Sequence, residues 1–521
     1  MTPTRTRWTC VLVAIVGIVV LPQAARGQLR VATWNVTNYS SGRVAAFQTA
    51  TYGQFEGRSL TPDIILGQEF LSQTGVNNFR NLLNSAAGSL GDWAAAPYID
   101  GPDTDQVFFY RTSKVELLGV TVVSVGGVAP NHPRNVQRYD VRLVGYDSDG
   151  AVLACYCSHM KAGSTQTDQA RRLVEAQEIR DNAEGIDTNG PGTGLPAGWS
   201  FVYGGDMNIQ TSSQTAYQEL VGSQANNGGR FFDPIDTPGS WNNNSAFRFV
   251  HTQDPVGAGG MDDRHDQLLV SASLVDGDGL DYIGDPNIPY STTTWDDQNH
   301  TYRSWGNDGT SFNNMLTVTG NTMVGATIAQ ALRDAASDAG HLPVFMDLRV
   351  PARIDSDTVL DFGSVPQGEW AEATLTVCNS GDVALWTATG IADLDYSLEA
   401  SAGFGVPEGP FVETPGGAGN QHAIQMDTST VGPMSGTLTI SSNAPDEPVR
   451  IVTLVGEVTE ASCFGDLDGD GGIHLSDLAV LLSNYGRTSG VSYADGDLDE
   501  DGDVDVQDLA AMLAVYGTTC P

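Results

Sequence analysis

Residues 201–208, with the sequence FVYGGDMN, carry the strongest structural signal in this chain of 521 residues. An apolar run typical of a buried strand ends in two glycines, and Asp206 and Asn208 follow two positions apart. Because alternate residues of an extended chain lie on the same side, both polar side chains are expected on one side of the strand's carboxyl end. For this segment alone, a polar turn that closes the strand is the alternative interpretation.

The same pattern recurs at four other apolar runs. Polar residues follow each of them: Asn35 after residues 29–33, Gln68 and Glu69 after 64–66, Ser158 and His159 after 152–157, and His341 at the start of the sequence HLPV. Taken singly, Glu69 is as well explained as a surface carboxylate, Asn35 as a strand cap and His159 as a buried structural histidine. Taken together, however, the polar residues that follow these apolar runs predict a functional site, because the same pattern recurs along the chain.

In this order the strand ends resemble the endonuclease/exonuclease/phosphatase superfamily of metal-dependent hydrolases, which includes deoxyribonucleases, abasic-site endonucleases, sphingomyelinases and inositol phosphatases. The resemblance covers residues 29–350. It implies an α+β protein whose catalytic part is a four-layer α/β sandwich of the deoxyribonuclease I type. It also implies a Mg²⁺ (or Mn²⁺) site with Glu69 as principal ligand and Asn35 beside the metal.

The resemblance implies roles for the other strand ends as well. Asp206 would orient or deprotonate the attacking water, Asn208 would fix the phosphate, and His159 and His341 would supply charge or protons from opposite sides. Asp266, in the sequence HDQLLVS, would be the partner of His341. The family places Ser-Asp-His directly before Leu-Pro-Val, whereas here Ala339 and Gly340 separate Asp338 from His341. Asp338 is carried over as a metal ligand, and His341 is predicted to pair with Asp266 rather than with Asp338.

Length and local composition divide the chain into four segments, because one core rarely organises so many residues. Residues 1–27 are predicted to be a signal peptide, since Arg5 and Arg7 precede an apolar run that ends near small residues. The protein is therefore expected to be secreted or at the cell surface, and no transmembrane segment is expected in the mature chain. The other segments are a catalytic domain at 28–350, a β-rich module at 351–460 and a repeat segment at 461–521.

The β-rich module contains short alternating strands around residues 360–368, 373–381 and 436–444, with turn residues between them and no helical pattern. This spacing predicts an immunoglobulin-like sandwich. It resembles bacterial modules related to the Ash, SPD-2 and Hydin family. We interpret it as a spacer in preference to a binding module, because it contains no cluster of histidine, cysteine and carboxylate side chains.

The last segment repeats itself: GDLDGDG at residues 465–471 recurs as GDLDEDG at 496–502, a period of 31 residues. Carboxylates at loop positions 1, 3, 5 and 12 with glycine at position 6 are the pattern that binds Ca²⁺. The copies resemble type I dockerin repeats, which implies a small α-helical domain and a cohesin-like or cell-surface partner. The predicted Ca²⁺ ligands are Asp466, Asp468, Asp470, Asp477, Asp497, Asp499, Asp501, Asp503 and Asp508.

Among the six cysteines, two pairs stand out in the sequence. Cys463 and Cys520 bracket the repeat segment and could link its ends, whereas Cys155 and Cys157 lie two apart on one face of a predicted strand. A bridge between the latter two is geometrically poor, so we expect them to pack as small apolar residues.

The net charge is -38, which disfavours non-specific binding to nucleic acid or to anionic membranes. A polyanionic substrate would have to be held through bound cations or through a small basic patch. Solvated surface charge is the alternative for each candidate in such a patch, and these candidates are Arg111, Lys114, Lys161, Arg171 and Arg172.

Two classes of function follow. The favoured one is a secreted, metal-dependent phosphodiester hydrolase with a nuclease as its first candidate, tethered or assembled through its carboxyl-terminal modules. Phospholipid or sugar-phosphate hydrolysis is the alternative within the same fold. The other class is an inactive binding module whose role is dockerin-mediated assembly. The presence of both histidines and of the Asp206 and Asn208 pair favours an enzyme.

Overall fold

The computed structural model describes residues 28–257, 259–337, 340–460 and 463–520. The predicted signal peptide and Asp338 lie outside these residues. The first part of the chain contains β1 (Leu29–Tyr39), α1 (Val44–Tyr52), β2 (Ile64–Phe70), α2 (Gln73–Ser85), β3 (Trp93–Ala95), β4 (Asp105–Arg111), β5 (Val115–Ser124), β6 (Val136–Leu143), β7 (Val152–His159), α3 (Gln166–Ala183), β8 (Ser200–Asp206), α4 (Thr215–Val221), β9 (Asp266–Val270), β10 (Asp281–Tyr282), β11 (Arg303–Ser304), α5 (Gly325–Ala336) and β12 (Val344–Arg349).

These strands form two sheets. The first has the order β10-β12-β1-β2-β4-β3, with β11 also paired to β12, and the second has the order β5-β6-β7-β8-β9. Only β1 with β2 and β7 with β8 run parallel among these pairs. The prediction of a mixed α+β protein with several sheets is confirmed.

Alternating side chains place the strands between apolar layers. Val31 of β1 and Val202 of β8 belong to a core between the two sheets. On the outer face of the first sheet, Trp34 packs with residues of α1, α2 and α5, and on the outer face of the second sheet Tyr156 packs with residues of α3 and α4. The helices therefore flank the pair of sheets, and the strand ends between the sheets are shielded from both sides.

The two sheets pack closely at Gly204 of β8. A Cβ atom there would lie 2.6 Å from Leu66 Cδ1 and 3.2 Å from Thr33 Cβ, both of the first sheet, and 2.9 Å from Leu268 Cδ2 of β9. The glycine in front of Asp206 thus has a packing role, because any side chain would push the sheets apart next to the polar strand ends.

The second part of the chain forms two further sheets, of orders β13-β15-β19-β17 and β14-β21-β20-β16-β18, which share one apolar core. The helix α6 in this part differs from the expectation that no helix intervenes; the Asp382 carboxylate caps it by accepting from the backbone N–H groups of Ala384 and Leu385. The elements are β13 (Ile354–Ser356), β14 (Val359–Pro366), β15 (Glu372–Asn379), α6 (Val383–Trp386), β16 (Leu394–Ala400), β17 (Phe404–Gly405), β18 (Phe411–Glu413), β19 (Asn420–Met426), β20 (Gly432–Ser442) and β21 (Val449–Thr459).

The junction between these two parts is packed. Trp386 and Ile391 belong to the same apolar core as the facing sheets of the first part. Lys114 Nζ donates to the carbonyl oxygen of Leu385 at 2.5 Å and lies 4.2 Å from the centre of the Trp386 ring. Lys114 is therefore buried, and so is Arg172, whose guanidinium donates to the carbonyl oxygens of Lys161 and Gly163. The prediction that these two cations belong to a surface patch was wrong.

The repeat segment contains α7 (Leu475–Asn484) and α8 (Val506–Val515). The described chain as a whole also has six short 3₁₀ turns: Asp149–Ala151, Asn227–Gly229, Ser245–Phe247, Ala272–Leu274, Ala388–Gly390 and Tyr493–Asp495. A disulfide joins Cys463 to Cys520, and Cys155 and Cys157 are free and buried, as predicted. In the part of the chain that the structure describes, every helix is too short or too polar to cross a membrane.

Gly204→Ala is expected to lower the free energy of unfolding by about 1–3 kcal/mol, because the added methyl group overpacks the contact between the sheets. Gly119→Ala is the matched control, since a Cβ at this β5 position has only Asp140 Oδ2, at 4.0 Å, within contact range. Urea denaturation followed by fluorescence would measure both variants. Equal stability of the two variants would show that the sheets can separate freely at Gly204.

Candidate active site

The polar strand ends meet at one edge of the space between the two sheets. His159 lies at the carboxyl end of β7, and in β-pairing it is opposite Asp206, which in turn is opposite Asp266. Asn35 lies within β1, which continues to Tyr39 beyond the expected strand at 29–33, and it is the last residue to pair with β2 before the register shifts. Asp266 begins β9, and β9 runs antiparallel to β8, so its first residue reaches the same edge. His341 precedes β12, which is antiparallel to β1, and reaches this edge for the same reason.

A local distortion of β2 sets the position of Glu69. Its φ of 65° is in the left-handed region, and the pairing of β2 with β4 shifts between Gly67 and Phe70. The shift breaks the alternation of the strand, so that the Phe70 ring joins the outer apolar layer. Glu69 Oε1 accepts from Asn35 Nδ2 at 2.9 Å, and Oε2 accepts from the backbone N–H of Asn38 at 2.9 Å. These contacts maintain an unfavourable backbone conformation of the kind that concentrates at functional sites.

Asp206 lies at the centre of the cluster and is 2% exposed. Its Oδ2 accepts from Asn35 Nδ2 at 3.1 Å and lies 3.2 Å from His159 Nε2 and 3.7 Å from His341 Nε2. Its Oδ1 accepts from the backbone N–H of Asn208 at 3.1 Å. The carboxylate therefore contacts both histidines and is fixed by two amide donors.

His341 is held by a chain of hydrogen bonds. Its Nδ1 lies 2.6 Å from Asp266 Oδ2, which is the predicted pairing, and the same oxygen accepts from Thr252 Oγ1 at 2.6 Å. Trp34 Nε1 donates to the carbonyl oxygen of His341 at 3.2 Å. The imidazole is thus oriented so that Nε2 faces Asp206. The sequence 251–253 resembles a loop of secreted bacterial members of the family and could face the substrate or be a flexible connector, but the contact of Thr252 with Asp266 was not predicted, because a hydroxyl in an irregular segment does not reveal its partner.

The two histidines differ in their protonation. Burial alone would lower the pKa of His341, but the negative charges of Asp266 and Asp206 outweigh it and raise the pKa to about 10. Burial lowers the pKa of His159 to about 4, against the opposing charge of Asp206. Burial would raise the pKa of Asp206, yet the charges of His159 and then His341 hold it well below its usual range. At neutral pH the site therefore contains a charged His341, a neutral His159 and an ionised Asp206.

The surroundings of Glu69 fit a hard divalent cation. Among the described residues, His159 is the only basic side chain whose nitrogen lies within 4.0 Å of this carboxylate, with Nδ1 at 3.8 Å. That imidazole is neutral at pH 7, and its Nδ1 is buried with no hydrogen-bond partner in the described chain. Glu69 offers carboxylate oxygen atoms, the ligand type that Mg²⁺ takes from proteins while it keeps several waters. The Nδ2 of Asn35 faces Glu69 and its Oδ1 accepts from the backbone N–H of Thr37 at 3.1 Å, so a metal bound by both side chains would require the Asn35 amide to rotate.

The structure thus brings the predicted site residues into one cluster, with Asp338 as the exception because it lies outside the described residues. Their roles in catalysis and metal binding stay predictions. Those that meet are Asn35, Glu69, His159, Asp206, Asn208, Asp266 and His341.

The two acidic loops of the repeat segment have matching hydrogen bonds. Asp477 is buried and accepts from the backbone N–H groups of Leu467, Asp468 and His474, and Asp508 accepts from those of Leu498, Asp499 and Asp505 in the same way. In the first loop, one group of carboxylates has its ligand atoms within 4.8 Å of one another: Asp466, Asp468, Asp470 and Asp477. In the second loop, two groups meet the same criterion: Asp497, Asp499 and Asp501, and Asp503, Asp505 and Asp508.

The second loop fits a cation by one further observation. Within the described chain, the buried Oδ1 atoms of Asp497 and Asp503 have no hydrogen-bond partner. Carboxylate oxygens that point inward without donors are suited to Ca²⁺, which takes six to eight oxygen ligands.

No protein-family model matches the chain, and no curated protein sequence matches it. Solved structures that resemble it include an endonuclease/exonuclease/phosphatase from Beutenbergia cavernae, with 14% identity over 82% of this chain and 100% of that one and a TM-score of 0.32. A mannosyl-6-phosphatase from Bacteroides thetaiotaomicron is 16% identical over 61% of this chain and 99% of that one, with a TM-score of 0.32. An ASH/PapD-like domain of human CEP192 is 16% identical over 21% of this chain and 87% of that one, with a TM-score of 0.17.

Asp266→Asn is expected to lower the pKa of His341 from about 10 towards its ordinary value, because the variant removes the largest negative charge beside the ring. Nuclear magnetic resonance of labelled histidine rings in metal-free protein would follow the titration. His422 of β19 serves as the internal control, since it contacts Tyr396 far from the site and its titration should not change. An unchanged His341 titration would contradict the assigned pairing.

Proposed function

We propose that residues 28–350 form a divalent-metal-dependent phosphoester hydrolase. The observation that carries this proposal is one cluster of contacts centred on Asp206. The Asn35 amide donates to both Glu69 and Asp206, and the Asp206 carboxylate also contacts His159 and His341. Structural roles alone do not explain why a protein would bury so many ionisable groups at one strand edge.

Glu69 and Asn35, with Asp338 as the further ligand that the family resemblance implies, would hold a Mg²⁺ or Mn²⁺ ion, which would supply positive charge to a non-bridging oxygen of the bound phosphate. Asp206, ionised at neutral pH, would accept a hydrogen bond from the attacking water and orient it. Asn208 would donate its amide N–H to a phosphate oxygen. His341, charged at neutral pH, would stabilise negative charge that develops on the phosphoryl oxygens, and Asp266 would keep its ring in place. His159 would bind the phosphate from the other side.

The substrate class is proposed on electrostatic grounds. A nucleic-acid phosphodiester is the first candidate, with binding through the metal rather than through a basic surface. Phospholipid or sugar-phosphate esters are the second candidate. The burial of Lys114 and Arg172 favours these smaller substrates, because the two cations are not available to bind the phosphates of a long nucleic acid.

We propose further that the chain is secreted and that its carboxyl-terminal part acts in assembly. The Cys463–Cys520 disulfide supports an oxidising compartment. The 351–460 segment would be an immunoglobulin-like module, and the repeat segment a Ca²⁺-binding, dockerin-like domain. Large apolar side chains that recur with the repeat are exposed on both helices and directly after them: Leu475 and Val506, Leu482 and Leu513, and, after the helix ends, Tyr485 and Tyr516. They support a protein partner such as a cohesin-like domain.

Glu69→Gln and Asp206→Asn are each expected to lower kcat by about 100-fold or more, because each removes charge and positioning at the reacting phosphate. Purified protein with Mg²⁺ would be assayed against plasmid DNA, RNA, a chromogenic phosphodiester, sphingomyelin and a sugar phosphate. The control is Glu116→Gln, a change at an exposed carboxylate of β5. If both site variants fold and keep more than about a tenth of the activity, the hydrolase assignment is wrong.

Addition of Ca²⁺ is expected to protect the repeat segment of the intact protein from proteolysis, and a chelator should reverse this protection. Asp497→Ala should weaken the protection more than His474→Ala, because Asp497 is 3% exposed with an unpartnered oxygen among the described residues, whereas the His474 side chain is 54% exposed. Mass spectrometry would identify the cleavage sites. If millimolar Ca²⁺ does not change the cleavage, the loops are solvated acidic turns that do not bind Ca²⁺.

A further inference from the structure

The connection between β5 and β6, residues 125–135, adjoins the candidate active site and has no role in the hydrolysis proposed above. We call it the β5–β6 loop. Arg134, near its end, donates from Nη1 to the carbonyl oxygen of His159 at 3.2 Å. Because His159 is the last residue of β7, this contact with its backbone helps to fix where its imidazole lies relative to Asp206.

Arg134 also connects the loop to the first sheet. Its Nε donates to Thr104 Oγ1 at 3.0 Å, and its Nη2 lies 3.2 Å from Asp103 Oδ2. Both partners belong to the segment between β3 and β4. The guanidinium therefore holds three segments together, and one of them ends in His159 of the candidate site.

His132 binds the backbone of Arg134 and links it to α3. Its imidazole is 1% exposed, with Nδ1 at 2.6 Å from the carbonyl oxygen of Arg134 and Nε2 at 2.8 Å from Glu178 Oε2. Ser124 Oγ lies 2.7 Å from the same Nε2 and donates to the same Glu178 oxygen. The contacts that hold the end of the loop thus pass through one buried ring.

These partners identify the protonation state of His132. A carbonyl oxygen and an ionised carboxylate only accept hydrogen bonds, so both ring nitrogens must carry a proton. The charged side chains near the ring are Glu175 and Glu178 of α3 and Arg134 of the loop. Burial alone would lower the pKa of His132, but the hydrogen bond to Glu178 and the charge of Glu175 outweigh it and raise the pKa above its ordinary value.

We propose that His132, in its charged form, and Arg134 are positioning residues that hold His159 in the candidate site, and that loss of the His132 proton releases the β5–β6 loop. A neutral imidazole has a single N–H group, so it can no longer donate to both Arg134 and Glu178. The importance of His159 rests on the proposed function, whereas the contacts of His132 do not depend on it.

The direction of the pH dependence follows from the raised pKa of His132. Both contacts are complete below the ordinary histidine value of about 6.5, and they are lost as the pH rises through the higher value of the folded protein. The loop is therefore expected to be ordered in acid and to loosen in alkali.

Hydrogen–deuterium exchange of the intact protein would follow the loop, with protection factors corrected for the pH dependence of intrinsic exchange. Gly127 is the reporter, because its backbone N–H donates to the carbonyl oxygen of His132 at 2.7 Å. Its protection is expected to fall in one step at the pH where nuclear magnetic resonance shows the His132 ring losing its proton. His132→Gln should give low protection at every pH.

Glu178→Gln removes the carboxylate charge in contact with His132 and preserves the size of the side chain. The step should move to lower pH by about one unit, because a neighbouring opposite charge favours the charged imidazole. Glu116→Gln is the matched control, an exposed glutamate of β5, and should leave the step in place. A step that is absent, or that has the same midpoint in Glu178→Gln as in the unaltered protein, would overturn the proposal.

Two readouts at the site test the positioning role. The backbone N–H of Met160, which donates to the carbonyl oxygen of Asp206 at 2.9 Å, should lose protection in the same step, and kcat should fall with it. If Met160 and kcat do not follow the step, His132 and Arg134 do not position His159. If the unaltered protein hydrolyses no phosphoester, the proposed function is wrong, and the protection of Gly127 and Met160 still decides the role of the loop.

Discussion

The close packing of the two sheets at Gly204 is the constraint on which the rest of the first part depends. Asn35 and Glu69 come from one sheet and His159, Asp206 and Asp266 from the other, so their contacts exist only while the sheets stay at this separation. The hydrogen bonds of Asn35 to Glu69 and to Asp206 cross between the sheets. The same short distance therefore determines both the density of the core and the geometry of the polar cluster.

Burial at this edge also explains the division of charge. A carboxylate out of water requires a nearby positive charge, and His341 provides it to both Asp266 and Asp206. His159 is more weakly compensated and stays neutral, so two residues of one type acquire different chemical properties from their surroundings. Glu69 has no equivalent partner among the described side chains, which is why this position fits a metal ion.

Much of this arrangement could be predicted from the sequence, because strands that end in polar residues at one sheet edge leave a linear pattern. The strand ends at Asn35, His159 and Asp206 and the pairing of His341 with Asp266 follow from that pattern and from the family resemblance. The left-handed backbone of Glu69 could not be predicted, since glutamate has no preference for it and the neighbouring strands impose it. The hydrogen bond from Thr252 to Asp266 could not be predicted for a similar reason, because it depends on which residues meet in space. Lys114 and Arg172 look like surface cations in the sequence, and only packing shows that they are buried.

The burial of Trp386 has a consequence for the 351–460 segment. Trp386 packs into the core of the first part, so we expect the unfolding of the two parts to be coupled. This coupling does not suit a passive spacer, which could be exchanged or lengthened without effect on the first part. Mechanical load applied through the repeat segment would reach the core of the first part through this indole ring.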